Sequence, residues 1–256
     1  MIIHEEILKW AKEYVPQFNK LSVTYHTHYY TQSPLDSIDK EVDLMIIGIN
    51  PKGNLGNGSR ELKAEEYIKG NSFWFDRFDQ NGKIAWKTNQ GARYFLGFDD
   101  FYHPESIDND KKTVWTNLSP FESKNGSSDL NKELKEEGIK STLDLIKILR
   151  PKRIILLGIN AFRQLSQVIG NDNTILEFST VFSNIKAQVG RIYNIPTTCI
   201  SHPTGHWEVN NTFYSMFVFL QGLAEMTKEK GTIKPLDDVV KIMRRELGGW
   251  QDNISL

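Results

Sequence analysis

The chain has 256 residues, of which 39% are hydrophobic and 25% charged; this is enough to bury one sizeable core and is ordinary for a globular protein. Its 31 lysines and arginines nearly balance its 32 aspartates and glutamates, so it is no polycation, and any contact with nucleic acid must rest on a local patch. A lone cysteine, Cys199, excludes an internal disulfide framework and any four-cysteine metal site. No apolar run approaches the roughly 18 residues of a membrane helix. The opening MIIHEEILKW lacks a basic stretch followed by a long apolar one, so no signal peptide is expected. The expectation is a cytoplasmic (intracellular) protein.

In chain order, apolar residues at helical spacing predict a helix over residues 7–15. The segment Tyr25-His26-Thr27-His28-Tyr29 reads as a strand with both histidines on one face, more simply a polar surface than a metal site. Residues 42–49 form a short apolar run that stops at Asn50-Pro51, the pattern of a buried strand feeding a loop. Residues 53–58 and 125–128 read as loops. A second strand is predicted over 114–118, ended by Ser119-Pro120. Residues 130–149 have helical spacing with one charged face, and Pro151 closes them.

The most hydrophobic run, 154–158, predicts a central strand, and 161–169 a helix. Residues 181–189 and 191–193 suggest a hairpin turning at Gly190. A strand over 197–201 ends at His202-Pro203. Helices are expected over 209–226 and 237–247, joined by a linker at 228–234. Alternating strands and helices predict an α/β fold: a mostly parallel central sheet with helices on both faces, a three-layer α/β/α sandwich in one domain spanning 1–256.

In such sheets ligands bind beyond the carboxyl ends of the strands. Three strands here end in unusual polar sequences: Gly48-Ile49-Asn50-Pro51-Lys52-Gly53, Thr116-Asn117-Leu118-Ser119-Pro120-Phe121 and Ser201-His202-Pro203-Thr204-Gly205-His206. If the strands are parallel, the three loops meet at one edge. Each also has a simpler reading. Asn50-Pro51 and Asn117 are residues that turns use, one or more rings of Phe73-Trp74-Phe75 belong in a core, and Trp207 is as suited to capping a helix as to touching a ligand.

Taken in order, these motifs resemble those of the uracil-DNA glycosylase superfamily, closest in style to its mismatch-specific and single-strand-selective classes. Gly48-Ile49-Asn50-Pro51 is similar to the first motif, His202-Pro203-Thr204 to the second, and Asn117 to the intervening strand-end asparagine. Leu149-Arg150-Pro151 and the strand and helix start after it match the family's usual pattern, so the resemblance spans about residues 40–225. It implies a monofunctional glycosylase that hydrolyses the N-glycosidic bond of uracil or a related damaged base in single- or double-stranded DNA. Asn50 would hold the attacking water, His202 would stabilise the leaving base, and Asn117 would read it. Phe73 or Trp74 would stack on a base flipped from its helix. Gly48, Ile49, Pro51, Pro203 and Thr204 would line the pocket. Lys52, Gly53, Gly205, His206 and Trp207 would face DNA, with Gly53, Gly56 and Gly58 admitting a phosphate to backbone amides.

The resemblance implies no metal, no organic cofactor, no membrane and no obligate protein partner. The spacing of Cys199, His202 and His206 lacks a fourth zinc ligand, and residues 53–58 match neither the dinucleotide fingerprint nor the P-loop. The chain departs from the family at Lys52, where a glycine is usual, and at Thr204-Gly205-His206-Trp207. No acid follows Pro51, so water activation by an aspartate at that point is closed. These departures sustain a rival expectation: a divergent or inactive member of the fold that binds a nucleobase, nucleotide or other small ligand.

Overall fold

The computed structural model describes residues 3–39, 41–42, 44–51, 53, 58–70, 113–124, 130–158, 160–170, 174–182 and 185–200. The elements are α1 (Ile3–Tyr25), β1 (Leu44–Gly48), α2 (Ala64–Tyr67), β2 (Thr113–Asn117), α3 (Lys132–Leu149), β3 (Arg153–Leu157), α4 (Asn160–Ile169), β4 (Thr174–Phe182), β5 (Ile185–Ile192) and β6 (Ile195–Ile200). The six strands form one sheet in the order β2-β1-β3-β6-β5-β4. The pairs β2/β1, β1/β3 and β3/β6 are parallel, and β6/β5 and β5/β4 antiparallel. The protein is thus α/β with a mixed, mostly parallel sheet. The expected helices over 209–226 and 237–247, with the linker between them, lie outside the described residues.

Strands β1 and β3 are short and largely apolar on both faces. Met45, Ile47, Val114, Ile154 and Leu156 join one continuous core with α1, α3 and α4. Leu44, Ile46, Trp115, Ile155 and Leu157 point the other way and are buried as well. A strand covered on both faces reads as an unbroken apolar run, which is why β1 and β3 are so conspicuous in the sequence.

Helix α1 runs well past the expected end at residue 15, through Pro16 to Tyr25. Proline inside a helix costs roughly 3 kcal/mol because it removes a backbone donor and crowds the previous turn. Phe18 and Leu21 continue the buried stripe of Ile7, Trp10, Ala11, Tyr14 and Val15. Full burial of two such side chains contributes roughly 3–6 kcal/mol together, which outweighs the proline. The helix is held to α3 by Trp10 Nε1–H donating to Ser141 O at 2.9 Å and Tyr14 O–H donating to Asp144 Oδ2 at 2.5 Å.

The strand expected around His26 and His28 is absent from the described structure. Tyr25 is the last helical residue, His26 is left-handed at φ 49°, and Thr27 N–H donates back to Ser22 O at 3.1 Å. That bond across six residues, with a left-handed residue before its donor, is a Schellman stop, so the two histidines share no strand face.

The turn expected at Gly190 is likewise corrected. Gly190 lies inside β5, paired with Leu176 on one side and Thr197 on the other. Residues 181–182 belong to β4 and 185–189 to β5, and the chain reverses from β5 to β6 at Tyr193 and Asn194, with φ of 49° and 65°. Two successive left-handed residues make the two-residue turn whose twist matches antiparallel strands, and asparagine tolerates that conformation. Glycine drew the expectation because it is the usual turn signal, yet here it only continues the ladder.

Candidate functional site

The four parallel strands β2, β1, β3 and β6 end at one edge of the sheet. The register matches Gly48 to Asn117, Ile47 to Leu156 and Leu157 to Ile200. The loops leaving β1 and β2 then continue side by side. Leu118 N–H donates to Gly48 O at 2.8 Å and Ser119 N–H to Ile49 O at 3.1 Å. Ser123 N–H donates to Pro51 O and Gly53 N–H to Ser123 O, both at 3.0 Å. Residues 48–51 and 53 and residues 117–123 are therefore one ribbon extending the sheet past its edge.

Helix α3 braces this ribbon from the core side. Thr142 Oγ1–H donates to Asn117 O at 2.8 Å and Ser119 Oγ–H to Leu134 O at 3.1 Å. A Cβ on Gly138 would lie 2.6 Å from Ser119 Cα, so only glycine lets the helix approach so closely. Phe121 is fully buried, edge-on to Phe18 of α1 at a centroid distance of 5.4 Å. Helices α1 and α3 together fix where the ribbon sits.

Two asparagines stand on it. The Asn50 amide nitrogen donates to Ser123 Oγ at 2.6 Å and to Pro51 O at 2.9 Å. A carbonyl can only accept, so this contact fixes which way the amide points. Asn50 Oδ1 is buried and has no hydrogen-bond partner among the described residues. Asn117 is only 5% exposed. Its carboxamide lies across Gly48, with Oδ1 against the glycine Cα where a Cβ would otherwise stand. Its Nδ2 is buried and likewise unpartnered among the described residues. Among the described residues the site thus offers one unpaired acceptor and one unpaired donor, at neighbouring strand ends whose loops are bonded to each other.

Leaving a buried polar atom unpaired costs about 1–3 kcal/mol. Two such atoms are a sizeable fraction of the 5–15 kcal/mol by which a typical protein is stable. Among the described residues nothing pairs with them, so they are available to water or to a ligand with a donor for Asn50 Oδ1 and an acceptor for Asn117 Nδ2.

Glu122 is a member of this region that sequence reasoning missed. Its side chain lies against Gly53, its backbone N–H donates to His28 O at 2.9 Å, and it is half-buried. Burial raises its carboxyl pKa above the ordinary value, and the nearby charges of His28 and Arg60 oppose this only partly. Ser123, fully buried and holding Asn50, was missed as well. Nothing in the local pattern marks either residue, because their roles arise from the pairing of two loops some seventy residues apart in sequence.

Among the residues expected at the site, the structure brings together Gly48, Ile49, Asn50, Pro51, Gly53 and Asn117. Ile49 reaches the strand end of β3, its Cδ1 2.5 Å from a Cβ built on Gly158. Lys52, Phe73, Trp74, His202, Pro203, Thr204, Gly205, His206 and Trp207 lie outside the described residues. Cys199 is a buried structural thiol: its Sγ–H donates to Gly158 O at 2.9 Å, and burial pushes its pKa up to about 12. No described helix is long and apolar enough to cross a membrane. The chain matches no protein-family model and no curated protein.

Proposed function

We propose that this protein is a monofunctional glycosylase of the uracil-DNA glycosylase type, with the three-layer α/β/α form of that superfamily. It would remove uracil or a related damaged base from DNA. The observation that carries the reading is the pair of amide atoms without partners among the described residues, Asn50 Oδ1 and Asn117 Nδ2, at adjacent parallel strand ends.

Hydrolysis of a base from deoxyribose needs a water held against the sugar carbon and donors aimed at the charge that develops on the base. Asn50 Oδ1 accepts from the water and so turns an oxygen lone pair towards C1′. Asn117 Nδ2 donates to a carbonyl oxygen of the base. As the C1′–N bond breaks, its electron pair leaves with the base and the sugar becomes an oxocarbenium. The water oxygen then bonds to C1′ and loses a proton to bulk water, which in turn protonates the departed base anion. His202 is proposed to donate to the departing base; it follows Ile200, the end of β6, by two residues, a span of at most about 7 Å.

A second reading is a binding protein that holds a nucleobase or nucleotide without cleaving it. It is favoured by the near-neutral charge of the chain and by the half-buried Glu122 carboxylate beside the first loop, both unhelpful to a polyphosphate strand.

The test is base release from single- and double-stranded oligonucleotides containing uracil opposite adenine or guanine. The parent releases uracil, and Asn50→Ala and His202→Ala each lose most of the activity. No release at high protein concentration refutes the glycosylase and leaves the binding reading.

A further inference from the structure

Between α1 and β1 the chain carries polar groups that this chemistry does not use. Thr31 and Gln32 are only 1% and 4% exposed. Yet Thr31 Oγ1 and both amide atoms of Gln32, Nε2 and Oε1, have no hydrogen-bond partner among the described residues. A glutamine so deeply buried normally pairs at both ends of its amide.

The backbone locates this amide. Tyr30 N–H donates to Pro120 O at 3.1 Å, and Ser33 N–H donates to Trp115 O at 3.0 Å. Trp115 N–H returns a bond to Ser33 Oγ at 2.8 Å. Residues 30–33 therefore run antiparallel along 115–120 on the outer side of β2. Gln32 lies beside the end of β2 that carries Asn117. The segment is held by Tyr30 and Ser33, so its position does not depend on the Gln32 amide.

We infer that Gln32 is a further base-reading residue of the same site, its carboxamide pairing with a nucleobase edge in which a donor and an acceptor adjoin. The inference rests on the glycosylase reading above. A carboxamide presents one acceptor and one donor side by side, the complement of the carbonyl and imide N–H of uracil. Asn117, at the end of β2, supplies a second donor, and Thr31 Oγ1 adds a hydroxyl that donates or accepts.

The experiment compares two oligonucleotides with the full-length protein. One carries uracil on a 2′-fluoroarabinose sugar, which resists cleavage; the other carries a tetrahydrofuran abasic analogue at the same position. The ratio of their dissociation constants measures base reading alone. In the parent the uracil oligonucleotide binds more tightly, and Asn117→Ala lowers the ratio. Gln32→Leu is expected to lower the ratio about tenfold. Its thermal midpoint is expected to stay or rise, since leucine fills the space without unpaired polar atoms. Gln32→Glu keeps the shape, replaces the donor by an acceptor, and is expected to lower the ratio as well. A ratio kept at the parent value in both Gln32 variants overturns the inference while leaving the site reading intact. A parent ratio of one, unchanged by Asn117→Ala, overturns the site reading and the inference with it.

Discussion

The close approach of Asn117 to Gly48 makes a prediction that needs no substrate to test. A Cβ on Gly48 would sit well inside the 3.0 Å that real Cβ atoms do not breach, and the atom it meets is Asn117 Oδ1. Normal contact needs roughly 3.5 Å, so Gly48→Ala must push the carboxamide aside by about 1 Å. Asn117 is buried and its backbone carbonyl is held by Thr142, so the side chain has little room to yield. Overpacking of this kind costs about 1–3 kcal/mol. Chemical denaturation of Gly48→Ala should show that loss through a lower midpoint with an unchanged slope. The decisive step is the double variant. In an Asn117→Ala background the obstructing carboxamide is gone, and Gly48→Ala should cost less than about 0.5 kcal/mol. The cycle thus has a coupling energy close to the whole single-variant effect. Equal costs in both backgrounds refute the geometry. In base release, the 1 Å displacement predicts a fall of about a hundredfold for Gly48→Ala, while the double variant is no worse than Asn117→Ala alone.

Two further predictions follow from other buried groups. Burial raises the pKa of Glu122 above its ordinary 4.5, so its neutral form is favoured in the folded state. Its contribution is then fully present below the unfolded pKa and is lost as pH rises through the folded value. Glu122→Gln should therefore be more stable than the parent at pH 7, with the gap closing on titration below about pH 4; a gap that widens on acidification refutes this. Cys199, with its thiol pKa pushed up to about 12 and fully buried, should resist alkylation by iodoacetamide at pH 8 in the native protein and react in denaturant. Rapid native labelling contradicts its placement.

Legibility in the sequence tracked burial and local punctuation. β1 and β3 were visible because strands covered on both faces leave unbroken apolar runs, and α3 because Pro151 closes it. Its start also has a local cause: Asn131 Oδ1 accepts from Glu133 N–H at 3.0 Å. The end of α1 was hidden because a tertiary contact, the burial of Phe18 and Leu21, overrode a local breaker at Pro16. The hairpin was misplaced because Tyr193-Asn194 turns without glycine while Gly190 sits in a ladder. The same division holds at the site. Asn50 and Asn117 were marked by standing at strand ends. Ser123, Glu122 and Gln32 were not, because what matters about them is which distant segment they lie against.

That lesson bears on why residue 50 is an asparagine. A carboxylate would be the stronger base for activating water, and nothing in the strand-end pattern forbids one. The loop does. Asn50 Nδ2 donates to Pro51 O at 2.9 Å and Ser123 Oγ at 2.6 Å. The serine hydroxyl can turn to donate, but the Pro51 carbonyl cannot. Asn50→Asp would set a carboxylate oxygen against that carbonyl unless it kept its proton, so the substituted carboxyl should have a raised folded pKa. Its sign is then that of Glu122: the variant approaches parent stability at low pH and loses it as pH rises through the folded value. Stability curves of parent and variant should diverge between about pH 4 and pH 8. A variant as stable as the parent at pH 8 means that the loop accommodates a carboxylate and that the choice of asparagine lies in the chemistry instead. The expected divergence means that the ribbon tolerates only an amide here, and any activity must work with the one oxygen that amide leaves free.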